Sequence, residues 1–190
     1  MKLDFTIVAH SRVDRPGGRG VDFHHVRHSP PRHRHRHRPA RPSGDRGRPV
    51  RFGLGQDLAD RALFASSFAD RAELDFRPAA ARWGATPPLM TGRDAIVDTI
   101  LDGFAGRVVT THQVTNPRVE ITGDTAALTA LVEAQHVLTA DPGTFALLKN
   151  RYDVELVRDG ARWVMTRVRI DNVWLTGDPV AIFGTPQPAR

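Results

Sequence analysis

The chain has 190 residues, of which 40% are hydrophobic, enough for the core of one domain of ordinary size. It contains no cysteine, which excludes disulfides, thiolate nucleophiles and cysteine-held metals and fits a reducing, cytoplasmic setting. The formal charge of +6 is unevenly placed: residues 1–50 hold 12 Lys and Arg against 4 Asp, whereas residues 51–190 hold 15 against 17 acidic residues. The basic character therefore belongs to the first quarter. No apolar run approaches the ~20 residues that span a bilayer, so no membrane partner is expected. The stretch Met1–His10 is short, carries Asp4 and makes a poor signal peptide.

Residues 1–50 read as a disordered, basic tail. Seven of the nine histidines fall in residues 10–50, in a Pro- and Gly-rich mixture centred on Pro30–Pro39. Such a composition cannot bury enough apolar surface to offset its ordering entropy. His33, His35 and His37 could capture a divalent metal, and the interleaved arginines could touch phosphates. Phe23 is the only aromatic in residues 6–50. Stacking on single strands is thus poorly served, and nucleic acid is not an expected partner except through this tail. A solvated tail without function is the third reading. The abrupt change of composition near Leu54 is also what a misassigned start or a shifted reading frame would produce.

Gly53-Leu54-Gly55 is not a dinucleotide fingerprint, because Leu58 stands where the third glycine belongs and no strand precedes it. A helix is expected over Asp57–Ala69, with Leu58, Ala62, Phe64, Ala65 and Phe68 on a broad apolar face. A short strand, Ala72–Arg77, follows, with Leu74 and Phe76 on one side. Residues 78–90, rich in Ala, Pro and Gly, read as a loop or lid, with Trp83 as a packing anchor or pocket cover. The apolar spacing of Ile96, Val97, Ile100, Leu101 and Phe104 predicts a second helix, Arg93–Phe104, stopped near Gly106.

Four long strands come next. Val108–Thr122 carries Thr110, His112 and Val114 on one face, and Asn116-Pro117 predicts a bulge or an edge. After the Thr122-Gly123-Asp124 turn, Thr125–Leu138 alternates Ala126, Leu128, Ala130, Val132, Ala134, His136 and Leu138 against a second face. Phe145–Arg158 places Ala146, Leu148, Asn150, Tyr152 and Val154 together. After Asp159-Gly160, Arg162–Leu175 places Val164, Thr166, Val168, Ile170, Asn172 and Trp174 together. Consecutive hairpins give an antiparallel sheet, and helices before strands give an α+β fold.

The helices must cover the apolar face of a twisted sheet, and where they fail to fill it a pocket opens. Polar residues on that face are the candidate site. His112 and His136, on neighbouring strands, can remove and deliver protons near neutral pH. Asn150, Tyr152 and Asn172 can orient a carbonyl or hydroxyl, and Trp174 can form an apolar wall. Dehydration, isomerisation and aldol cyclisation need no more than this, so neither metal nor cofactor is expected. A hydrogen-bonded core role is the bland alternative for each of these residues. The outward charges Arg151, Asp153, Arg167 and Arg169, with Leu147, Val157 and Met165 among them, suggest a solvated or subunit-contacting face and a homodimer.

Leu63–Asp70, Gly92-Arg93-Asp94-Ala95-Ile96, Thr110-Thr111-His112, Gly123-Asp124-Thr125-Ala126 and Trp163, in this order and spacing, resemble the SnoaL-like branch of the nuclear-transport-factor-2-like superfamily over about residues 56–184. The resemblance implies a cone-shaped curved antiparallel sheet wrapped around N-terminal helices, commonly dimeric through the outer sheet face. Within it, the chain is similar to scytalone dehydratase and bile-acid dehydratases. These imply a catalytic histidine at His112, a second at His136, and a tyrosine and an aspartate on the first helix. Asp60 matches the aspartate, but the single tyrosine, Tyr152, lies on a late strand. The expected function is cofactor-free acid/base chemistry on an apolar small molecule. A non-catalytic ligand-binding or oligomerisation module is the alternative, favoured by the missing helix tyrosine.

Overall fold

A computed structural model describes residues 50–184. The expectations for residues 1–49, including the histidine-rich metal and phosphate contacts, lie outside the described residues. The chain runs α1 (Val50–Asp57), α2 (Arg61–Ala65), β1 (Phe68–Asp75), α3 (Arg77–Ala80), a 3-10 turn (Ala81–Trp83), β2 (Met90–Thr91) and α4 (Arg93–Phe104). It continues with β3 (Val108–Thr122), β4 (Thr125–Leu138), β5 (Phe145–Asp159), β6 (Arg162–Gly177) and α5 (Pro179–Phe183). The strands form one sheet in the order β2-β1-β6-β5-β4-β3. The four long strands are antiparallel, as their turns require. The sheet as a whole is mixed, because β1 adds parallel to β6.

The first helical region differs most from expectation. The span 57–69, expected as one helix, holds the last residue of α1, a corner, α2 and the start of β1, and α1 itself starts at Val50, ahead of the expected domain boundary at 56. The main-chain N–H of Asp60 donates to Gly55 O and that of Ala59 to Gln56 O, closing α1 in the Schellman manner. Ala59 takes φ +51, a conformation usually given to glycine. Asp60 then caps α2, its carboxylate accepting from the Leu63 N–H at 2.9 Å. Ser67 and Phe68 have already left the helix, so β1 begins four residues earlier than its expected start at Ala72.

Close approach explains the two glycines of α1. A Cβ on Gly53 would lie 2.9 Å from the His112 Cβ, and one on Gly55 would lie 2.5 Å from the Phe64 main-chain nitrogen. Glycine costs helix propensity, but here it lets α1 seat directly on β3 and α2. Phe52, Phe64 and Phe68 pack ring to ring beneath. With Ile96, Val97 and Leu101 of α4 and Leu74, Val132, Val154, Val168 and Ile170 of the sheet, they build the main core. Outside the core, Arg61 of α2 bridges Asp98 and Asp102 of α4. A smaller cluster, Ala146, Leu148 and Ile182, joins α5 to the far end of the sheet.

Three bulges bend the long strands. Asn116 (φ +51) lies in one, between Thr115 and Arg118 of β3, where the Asn-Pro pair predicts it. The others are on β6: Thr166 is extra between the pairs Glu155–Arg167 and Leu156–Met165, and Val173 between Asn150–Asn172 and Lys149–Trp174. Each shifts the alternation by one residue. Met165, expected outside, is therefore buried in the core, and Trp174 leaves the inner face. Among the described residues no helix is long and apolar enough to cross a membrane.

Candidate active site

Between the sheet and the helices lies a cavity of about 460 Å³. One wall is Phe52 and Gln56 of α1. Leu148, Asn150, Tyr152 and Ile170 of β5 and β6, with His112 and His136 of β3 and β4, form its floor. Thr99, Ile100, Gly103 and Phe104 of α4 and the segment Trp83–Pro88 close it from the helix side, and Phe183 closes its end. The two histidine rings meet edge to face, centroids 5.9 Å apart.

His112 is oriented by Asp57, the last residue of α1. Its Nδ1 lies 2.6 Å from Asp57 Oδ1. The main-chain N–H of His112 donates to Asp57 Oδ2 at 2.8 Å, and the Thr110 hydroxyl donates to Asp57 Oδ1 at 2.8 Å. Burial pushes the Asp57 carboxyl up, but the His112 ring, the His112 N–H and the Thr110 hydroxyl outweigh it, holding the group below 3.8. An ionised Asp57 accepts from Nδ1–H, so the neutral imidazole keeps its lone pair on Nε2. The His112 side chain is 3% exposed, and it lines the cavity.

His136 differs. Burial, and next the charge of His112, push its pKa down to about 3, against the pull of the Ala134 carbonyl and Asp57. It stays neutral across the physiological range and can offer hydrogen bonds but not a charge. Its Nδ1 is buried without a partner. Phe104 and Phe183 pack around the ring, at 5.4 and 4.9 Å between centroids. Tyr152 is held protonated: burial raises its pKa, and Asp57 raises it further.

The orientation of Asn150 follows from its neighbour. Asn172 Nδ2 faces two main-chain carbonyls, Trp174 O at 2.9 Å and Lys149 O at 3.4 Å, which accept only from a donor. The same Nδ2 donates to Asn150 Oδ1 at 2.9 Å. With its oxygen so engaged, the 2% exposed Asn150, which lines the cavity, keeps its Nδ2 as a donor.

Of the residues singled out in the sequence, the cavity thus gathers His112, His136, Asn150 and Tyr152. Asn172 stands behind Asn150 rather than in the lining. Trp174 is 44% exposed and paired with Lys149 on the outer face, the consequence of the Val173 bulge. Asp60 is exposed and occupied as a helix cap; the carboxylate that meets His112 is that of Asp57, three residues earlier. Asp57 was legible only as a helix start, because Ala59 gives no sign that the helix ends there. Among the described residues no three His, Cys, Asp or Glu side chains gather as a metal site.

The SnoaL-like domain model matches residues 50–169. Solved structures with the same fold include a candidate scytalone dehydratase from Novosphingobium aromaticivorans, 21% identical over 67% of this chain and 80% of that one, TM-score 0.58. They include the hexachlorocyclohexane dehydrochlorinase LinA-type3 from Novosphingobium barchaimii, 18% identical over 74% and 88%, TM-score 0.54. A third is a candidate NTF2-like dehydratase from Streptomyces avermitilis, 14% identical over 66% and 92%, TM-score 0.54. No curated protein matches the sequence. The chain belongs to the SnoaL-like domain family.

Proposed function

We propose that the protein is a cofactor-free lyase or isomerase that removes a proton beside a carbonyl of an apolar small molecule, with dehydration as its reaction. The contact that carries this reading is the His112–Asp57 pair at 2.6 Å, set in the wall of a cavity otherwise lined mostly by apolar side chains. A partly buried carboxylate is helped to remain ionised by such partners, and here they also orient an imidazole. That arrangement favours catalysis over a passive binding module.

The chemistry follows from the donors. His112 Nε2 accepts the Cα proton of a β-hydroxyketone. The electron pair moves toward the carbonyl, and Asn150 Nδ2 and the Tyr152 hydroxyl are the donors for the oxyanion. The C–OH bond then breaks, the carbonyl re-forms beside a new double bond, and the His112 imidazolium returns its proton to the departing hydroxide as water. His136, neutral and unpartnered at Nδ1, hydrogen-bonds substrate and does not exchange charge. Asp57 fixes the His112 tautomer and stabilises the imidazolium. The structural neighbours named as dehydratases and a dehydrochlorinase support eliminations as the class.

The test is turnover on a panel of cyclic β-hydroxyketones, followed by the ultraviolet absorbance of the conjugated product. His112→Ala should lower kcat by ~10²–10⁴-fold, the usual worth of a positioned base, with the fold intact by circular dichroism. Undiminished turnover in His112→Ala would remove the catalytic reading. The outer sheet face pairs two copies in the same proposal, and its test belongs with the whole molecule below.

A further inference from the structure

We infer that the mouth of the cavity holds an anion subsite at Arg107, so that the preferred ligand is an apolar ring compound bearing a carboxylate or similar acidic group. This deepens the reading of the cavity as a substrate site and rests on it. Arg107 lies between α4 and β3 and lines the cavity. Its Nη2 donates to Ile182 O at 2.8 Å and to Gly103 O at 3.2 Å. These are main-chain carbonyls near the C-terminal ends of α5 and α4. Two bonds to main chain restrain a side chain that is otherwise among the most mobile.

Nη2 has two protons and both are used. The Nε proton and the two on Nη1 have no partner among the described residues. Nor is there a carboxylate within ion-pair distance of Arg107 among them, a condition it shares with the exposed Arg71, Arg82, Arg118 and Arg162, none of which lines the cavity. No Asp or Glu lines the cavity. Asp57 reaches His112 from behind, and its charge is spent there. The charge balance along the cavity is therefore positive, in a domain whose sequence is slightly acidic. An arginine edge with three free donors matches a carboxylate, which accepts two parallel N–H bonds. The apolar lining of Phe52, Leu74, Phe76, Trp83, Phe104 and Phe183 receives the ring.

The experiment uses two probes of one shape, 2-naphthoate and 2-naphthamide, titrated calorimetrically into the full-length protein at pH 7, where the acid is ionised. The acid should bind about tenfold more tightly, a modest factor because Arg107 is exposed to solvent. The preference should shrink in high salt and vanish in Arg107→Met, with the amide unaffected. Equal affinities in the wild type, or a preference that survives Arg107→Met, would overturn the subsite while leaving the cavity intact. Failure of both probes to bind would bring down the subsite and the ligand cavity together. His112→Ala should keep the full charge preference, so loss of the proposed chemistry and loss of the subsite are read separately.

Discussion

At the level of single residues, the contacts of Asp57 set the strongest expectations. Asp57→Asn keeps the size but offers Nδ1 of His112 a choice of donor or acceptor, so the tautomer is no longer fixed. We expect kcat to fall by roughly 10²–10⁴-fold on any substrate the wild type turns over, with little change in KM. Asp57 also links stability to acid pH. Its folded pKa lies below 3.8, so its contribution is present above the unfolded value and is lost as pH falls through the folded one. Thermal midpoints below pH 4 should show the wild type converging on Asp57→Asn. His136 has the opposite charge type but the same slope. Its folded pKa of about 3 lies beneath the ordinary 6.5, so between these values the unfolded chain binds the extra proton. The stability present above pH 6.5 is then lost on acidification. His136→Gln should flatten that slope by about 1 kcal/mol per pH unit across pH 4–6, read from urea midpoints.

At the level of elements, the corner between α1 and α2 is where legibility ended. Arg93–Phe104 and the first two long strands are as periodicity and turn residues dictate, and the last two strands run slightly further than expected. Each is long, strongly patterned and bounded by Gly or Asp turns. The corner hides because Ala59 occupies a glycine conformation, and the inner face of β6 hides because a bulge inserts Val173 without any special residue. Both features displaced an expectation: the carboxylate at His112 is Asp57 and not Asp60, and Trp174 lies outside the cavity lining. The same corner yields a test. Ala59→Gly should raise stability by about 0.5–1 kcal/mol, since it relieves the left-handed conformation. Gly55→Ala should lower it by about 2 kcal/mol through collision with the α2 backbone. Gly103→Ala in α4, where a Cβ meets nothing within 4 Å, should gain up to about 1 kcal/mol. Denaturant midpoints of the three variants would check the set; a stabilised Gly55→Ala would contradict the close approach of α1.

On the scale of the whole molecule, the outer face of the sheet is a lattice of charges with an apolar margin. Arg151 bridges Asp153 and Asp171, Arg169 also meets Asp171, and Arg167 meets Glu155. Beside them, Val109, Val137 and Phe145 form one row across three strands, and Val109 and Trp174 are 54% and 44% exposed. An apolar margin next to paired charges suits a self-complementary interface. Sedimentation at micromolar concentration should give a dimer, and Trp174→Glu should shift it toward monomer while leaving the His112 chemistry at its dimer value per chain. A wild-type monomer under those conditions would count against this assembly.

The bulge at Asn116 has a further consequence for solubility. β3 is the outer strand at one edge of the sheet, and β2, at the other edge, is only two residues long. A fifteen-residue strand with no strand on its outer side is a template on which other chains can add. Asn116 turns the backbone to a positive φ, and Pro117 has no N–H to give, so the exposed ladder is broken near its middle. Restoring a regular strand, with Asn116 deleted and Pro117→Val, should leave a continuous edge and speed the appearance of fibrils in thioflavin-T assays. The same kink, in the strand that carries the candidate base, thus interrupts the long edge on which such addition would proceed.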